Sequence, residues 1–196
     1  MKRTLILASS SPRRAELLQQ VNIPFTARKQ DVDEGLIQSP DPEEKAEQIA
    51  MLKARSTVIS KQDEVILAAD TVVALMGNIY GKPKDKEEAY AMLANLSGAV
   101  HEVYTGVTIL SEQQEASFVE KTLVEFWPLT HQEIEAYLAT NDSFDKAGAY
   151  GIQSFGATLV KKIIGDYYNV VGLPISRVVR ELGKFQIYPI IDNRTS

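Results

Sequence analysis

The chain has no cysteine, which excludes disulfides, thiolate catalysis, zinc ribbons and iron–sulfur clusters and suits a reducing cytoplasm. Histidine is scarce: His101 and His131 lie far apart, one at an expected strand entry and the other in an expected helix first turn, and neither is assigned a catalytic role. There is no surplus of positive charge. A formal net charge of -5 weighs against the basic surface that broad nucleic-acid binding requires, so an anionic ligand must be held locally. No apolar run approaches the ~18 residues of a membrane span. The opening Met-Lys-Arg and the apolar Thr4 to Ala8 could pass for a signal peptide, but the run is shorter than the ~7–15 residues of a signal core and meets Arg13, Arg14 and Glu16, so a cytoplasmic protein is expected. Internal repeats, low-complexity tracts and long linkers are absent from the sequence as well.

What is present describes an ordinary soluble globular protein: 196 residues, 44% apolar and 24% charged, enough for a single domain over residues 1–196. Thr4 to Ala8 reads as a buried strand, and Ser11-Pro12 as the N-cap and first position of a helix that Asn22-Ile23-Pro24 stops. A second helix starts at Asp41-Pro42 and runs past Lys53. Val65 to Ala69 is expected as a strand ending in Asp70-Thr71, followed by a hairpin around Gly77-Asn78. Asp85 to Leu96 is amphipathic, with Ala89, Met92, Leu93 and Leu96 on one face. Glu102–Leu110 and Ala116–Phe126 form a long antiparallel pair, Thr130 to Glu133 a capping box, Thr158–Ile164 a strand, Gly165–Leu173 a loop, and Pro174 to Leu182 the last helix. Helices and strands interleave, which predicts an α/β or α+β mixed sheet with a cleft where polar residues follow apolar strands.

Several stretches are equipped for chemistry. In Ser9-Ser10-Ser11-Pro12-Arg13-Arg14 a helix N-terminus, hydroxyl donors and guanidinium forks coincide, a combination that grips phosphate; a capped helix with solvated arginines fits the spacing equally well. The two cations oppose the helix dipole by ~0.3–1 kcal/mol, which a bound anion would reverse. Asp70, after an apolar strand, is costly to desolvate unless paired, hydrogen-bonded or metal-bound, although taken alone a carboxylate accepting backbone amides in the turn is the favoured account. Lys82 is fixed between Gly81 and Pro83. Lys53 has no acidic mate on its own helix, since Ile49 and Ala50 lie behind it. The loop carboxylates Asp31, Asp33 and Glu34 could hold a hard cation, though not as an EF-hand. Gln153, after a glycine-rich run, offers a base both a donor and an acceptor.

Taken together, LASSSPRR, AADTVV, GKP, LSG, DKAGAYGIQ and GDYYNVVGLP, in this order from Leu5 to about Leu182, resemble the Maf family, the septum-formation-inhibitor-like proteins. The resemblance implies an α/β fold of two lobes on a mixed twisted sheet with flanking helices and a central cleft, of the Maf or ITPase-like kind. It also implies hydrolysis of a nucleoside triphosphate at the α–β phosphoanhydride, giving a monophosphate and pyrophosphate, with a divalent metal, Mg or Mn. On that resemblance Asp70 is the proton acceptor and, with Glu34, a metal ligand. Ser9 and Arg13 hold the triphosphate, with Lys53 and Lys82 adding charge along it. Arg13, Thr71 and Gln153 occupy the positions associated with a preference for dTTP and UTP. The methylated-guanosine-triphosphate (7-methyl-GTP) branch and a nucleotide-sensing regulator of cell division are the alternatives. A homodimer, no membrane association and no stable nucleic-acid complex are expected.

Overall fold

A computed structural model describes residues 3–30 and 32–191; Asp31 of the acidic loop lies outside the described residues. The opening apolar run forms β1 (Thr4–Leu7), and after a serine turn the chain enters α1 (Pro12–Gln20). Asn22 takes a positive φ of 53° where the helix stops, and β2 (Phe25–Ala27) follows. Asp41 accepts hydrogen bonds from Glu43 and Glu44 amides and so caps α2 (Pro42–Arg55). Next come β3 (Glu64–Leu75), β4 (Asn78–Tyr80), α3 (Lys86–Leu96), β5 (Val100–Leu110), β6 (Glu115–Phe126) and α4 (His131–Leu138), whose Thr130–Glu133 capping box is formed. β7 (Val160–Ile164), α5 (Tyr167–Val171) and α6 (Ile175–Lys184) end the described fold.

One seven-stranded mixed sheet runs β2-β1-β3-β5-β6-β7, with β4 on β3. β2, β1 and the start of β3 are parallel; β3, β5, β6 and β7 are antiparallel. β3 has two different neighbours along one side. β1 pairs with it over Glu64–Leu67 and β4 over Val73–Leu75. Between those pairings, at Ala68–Val72, neither strand lies alongside, and the chain leaving β1 and the chain leaving β4 diverge around the gap. A cleft opens there, at the carboxyl end of a parallel strand, where open α/β sheets present their ligand sites.

Strand alternation assigns the faces. Ile6, Ile66 and Ala68 pack with Ala54 of α2, as Val72 and Ala74 pack with Ala46. The other face carries two apolar clusters. The first joins β1 and the start of β3 to α1 and α6 through Leu5, Leu67, Leu18 and Val178. The second joins the far half of β3 to α3 and α4 through Val73, Leu93 and Tyr137. These are the expected two lobes, and α3 buries Ala89, Met92, Leu93 and Leu96 as its periodicity predicts.

Four local expectations need correction. β3 does not end at Asp70 but continues to Leu75; it is the neighbouring strands that end, because the cleft interrupts pairing on one side only. The hairpin turn is Met76-Gly77, with φ of 50° and 80°, while Asn78 is already paired with Leu75; with both turn residues at positive φ, the connection is of the type I′ kind whose twist suits a hairpin. The stretch Gly165–Leu173 contains α5, capped by Asp166 through the Tyr168 amide. Finally, β7 starts at Val160, because Ser154–Thr158 forms a 3-10 turn.

Candidate active site

The cleft encloses about 370 Å³, and Ser9, Arg13, Glu34, Lys53, Asp70, Thr71, Lys82 and Gln153 all line it. Each arrives by a separate route. Ser9 and Arg13 come from the turn into α1. Glu34 comes from a 3-10 turn, Glu34–Leu36, and Lys53 from the last turns of α2. Asp70 and Thr71 lie side by side in β3 and point to opposite faces, Lys82 leaves β4, and Gln153 precedes the 3-10 turn at Ser154.

On the α2 face the Lys53 ammonium lies 2.6 Å from Asp70 Oδ1 and 2.7 Å from Glu34 Oε1. Its acidic mates are thus remote in sequence, which explains why none appears on its own helix. An ammonium has three N–H donors, so one remains for an anion. Burial raises the Asp70 pKa above the usual carboxylate range, against the pull of Lys53 and Arg14. For Glu34 burial also pushes upward, but the hydrogen bond and charge of Lys53, with Lys82 and Arg14 behind them, hold the net pKa below the ordinary value. The two carboxylates therefore differ in basicity: Asp70 is the better proton acceptor and Glu34 the more firmly ionised. Of the two described carboxylates of the acidic loop, Asp33 caps the Gly35 amide at 2.9 Å, and Glu34 reaches the cleft.

No cluster of three or more His, Cys, Asp or Glu side chains comes together among the described residues. Two carboxylates converging on one cationic atom do fit a hard divalent cation of the magnesium kind, which takes one or two carboxylates and completes its shell with water and substrate phosphates.

At the other wall, Ser11 occupies the α1 N-cap position but its side chain makes no capping bond, contrary to expectation. The first-turn amides at the cleft are left without that partner, and are donors for an anion. Ser9 Oγ accepts from the Ser11 amide and from Arg14 Nη1, each at 3.2 Å, so its own proton is available. Arg13 pairs with Asp145 at 2.9 Å, which links α1 to the glycine-rich DKAGAYGIQ segment of the other lobe. Lys82 makes no salt bridge among the described residues.

The sequence places Arg14 beside Arg13 in the phosphate-gripping turn but gives it no part of its own. Its guanidinium is buried and donates to the Gly172 carbonyl at 2.8 Å, to Ser9, and to Thr71 Oγ1 at 3.2 Å; burial lowers its pKa, opposed by Asp70. The only signal was its adjacency to Arg13, and a helix of 3.6-residue period sends neighbours in different directions. His101 is buried, with Nε2 2.7 Å from the Tyr150 hydroxyl and edge-on to Phe126. It supports Tyr150, a cleft-lining residue, from inside the second lobe.

The model of the Maf family, described as Maf-like protein, matches residues 4–185. A protein of Halalkalibacterium halodurans named dTTP/UTP pyrophosphatase is 54% identical over 178 residues, covering 91% of this chain and 94% of that protein. One of Bacillus cereus, of the same name, is 46% identical over 185 residues, covering 94% and 97%. One from Bacillus cytotoxicus, also so named, is 48% identical over 180 residues, covering 92% and 94%. Among solved structures, a HAM1 protein from Coxiella burnetii aligns over 93% of this chain and 99% of its own, with a TM-score of 0.50 and 14% identity, a likeness of fold.

Proposed function

The chain belongs to the Maf family, and from that premise we propose that it is a nucleoside triphosphate pyrophosphatase that hydrolyses dTTP and UTP to the monophosphate and pyrophosphate. The relatives' shared name gives the substrates. The observation that carries the reading on this chain's own residues is the convergence of Asp70, Lys53 and Glu34 within hydrogen-bonding distance at the floor of a cleft whose rim supplies Ser9, Arg13 and Lys82.

A triphosphate carries about four negative charges, and attack by water brings another oxygen toward that charge, so the site must offset it locally. The protein's net charge of -5 cannot do so at long range. Lys53 and Lys82 with Arg13 and the α1 amides bind and orient the phosphate chain. Asp70, its pKa raised by burial, takes the proton of the attacking water. Lys53 keeps Asp70 in place. Glu34 and Asp70 are the residues to hold a divalent cation, Mg or Mn. When bound, that ion supplies charge neutralisation at the phosphates and a lowered pKa for water.

Asp70→Asn keeps the volume and removes the base, so pyrophosphate release from dTTP and UTP falls by about 10²–10⁴-fold while the circular dichroism spectrum is retained. Turnover close to the parent's would overturn the assignment. Release that a chelator abolishes and Mg or Mn restores supports the metal. We extend the reading to a cytoplasmic homodimer, which sedimentation velocity and cell fractionation test. No helix among the described residues is long and apolar enough to cross a membrane.

A further inference from the structure

Resting on the assignment to dTTP and UTP, we infer that Thr105, a residue outside the cleft, fixes the Thr71 hydroxyl as a hydrogen-bond acceptor and thereby favours bases that present an N–H to it. Asp70 and Thr71 divide the cleft. Asp70 faces the charged wall with Lys53 and Glu34, whereas Thr71 faces the side that carries Val73, Val103 and Ile152. A flat uncharged base belongs against the apolar side and the triphosphate against the charged one.

The direction of each hydrogen bond on the apolar side follows from proton counting. A threonine hydroxyl has one proton and two lone pairs, and a guanidinium has only donors. Arg14 Nη2 lies 3.2 Å from Thr71 Oγ1, Thr71 Oγ1 lies 2.9 Å from Thr105 Oγ1, and Thr105 Oγ1 lies 3.0 Å from the Asn169 carbonyl oxygen. All three bonds form together in only one way. Thr105 donates to the carbonyl, Thr71 donates to Thr105, and Thr71 accepts from Arg14. Thr105 and Asn169 are fully buried, so no water substitutes for a missing partner. Asn169 is itself held by its Nδ2, which donates to the Val103 carbonyl and to Thr122 Oγ1, each at 3.0 Å.

Thr71 is thus left with a lone pair and no proton for a ligand. Uracil and thymine share an imide N–H between two carbonyls, and that N–H matches the lone pair. Cytosine carries an unprotonated ring nitrogen at the same place. To accept from Thr71 it must reverse the Thr71–Thr105 bond, which forfeits the bond to the Asn169 carbonyl. One buried hydrogen bond corresponds to roughly a tenfold preference.

Calorimetric titration of the full chain with UMP and CMP, free of divalent cation, tests this without turnover. The parent is expected to bind UMP about tenfold more tightly than CMP. Thr105→Val removes the acceptor for Thr71, frees its proton for the ligand, and brings the ratio to about one, whereas Thr105→Ser keeps the hydroxyl and restores the parental ratio. A Thr105→Val protein that is folded and keeps the parental ratio overturns the inference, as does a parent that does not distinguish the two. If Thr105→Val does not fold, Thr71→Val decides: affinity for UMP falls by about tenfold more than affinity for CMP, and an equal fall overturns the inference. Absence of pyrophosphate release from UTP in the presence of Mg or Mn refutes the enzymatic reading separately, and leaves the affinity ratio to decide this one.

Discussion

Gly106→Ala is the smallest change that separates Lys53 from Asp70 without touching either. Gly106 is the cross-strand partner of Asp70, on the face that α2 covers. A Cβ built on it would lie 2.2 Å from the Ala46 carbonyl oxygen, 2.4 Å from its carbon and 2.7 Å from the Glu47 amide nitrogen. All three are backbone atoms of α2, so no rotamer change can relieve the clash. To reach an ordinary contact of 3.4 Å the helix must retreat by about 1 Å. Overpacking of this kind costs about 1–3 kcal/mol, and α2 also gives up contacts at Ala46, Ala50 and Ala54, all fully buried. Lys53 is two helical turns beyond Ala46, about 10 Å along the axis, and moves with the helix. The 2.6 Å contact with Asp70 then lengthens beyond the ~3.2 Å limit of a good hydrogen bond, and a misplacement of about 1 Å at a reacting group costs up to ~10²-fold in rate. Urea unfolding read by circular dichroism, with initial rates of pyrophosphate release from UTP, measures both effects. A Gly106→Ala protein with unchanged urea midpoint and unchanged kcat/KM would refute the claim that the α2–β5 contact sets the geometry of the site.

Two further outcomes follow from paired charges, one remote from the cleft and one within it. Glu64 is buried and accepts from Arg28 Nη1 and Nη2 at 2.9 and 2.8 Å and from the Ser60 amide at 2.8 Å; the Arg28 hydrogen bonds, against burial, lower its pKa from 4.5 to about 2. A carboxylate with a depressed native pKa stabilises the fold above its unfolded value and loses that contribution as pH falls toward the native one. The depression corresponds to at most about 3 kcal/mol, which the 31% exposure of the Arg28 side chain reduces to about 1–2; Glu64→Gln is expected to flatten the stability–pH curve between about pH 4.5 and 2, and an unchanged curve in urea titrations refutes it. Lys53→Met leaves Asp70 buried without its ammonium partner, which costs about 3–5 kcal/mol near neutral pH; because the native Asp70 pKa then rises further above the unfolded value, the deficit grows with pH and shrinks below about pH 4, and a pH-independent deficit would count against the pairing.

The fold was legible where periodicity and caps act locally. The face of α3, the Thr130–Glu133 box and the β5–β6 pair depend on residues a few positions apart, and each forms as the pattern predicts. What was not legible depends on which strands lie beside which. The run Glu64–Leu75 reads as broken at Asp70 because a carboxylate inside an apolar strand is costly, yet the strand continues, because the gap between β1 and β4 opens it to the cleft and Lys53 satisfies the charge. The hairpin turn was displaced by one residue for a smaller reason: Met76 adopts positive φ, which a side chain of its shape rarely does.

The site divides in the same way. Ser9, Arg13, Lys53, Asp70, Lys82 and Gln153 each had a solvated or structural reading when taken alone, and it was the ordered set of family motifs that singled them out together; they do meet in one cleft. The residues that hold them were not singled out. Gly106 is one glycine in a strand, Thr105 one threonine among several with β-forming neighbours, and Asn169 sits in a stretch that reads as loop. Their roles come from what the sheet brings against them: an α-helix backbone, a second hydroxyl, a carbonyl oxygen. Local charge can then serve an acidic protein. Lys53, Lys82 and Arg13 line the cleft, where attraction over a few ångströms is weakly screened, whereas the net charge of -5 acts across solvent and fades beyond a Debye length of about 8 Å at physiological salt. An anion in the cleft would therefore respond to the charges that line it and not to the sign of the whole surface.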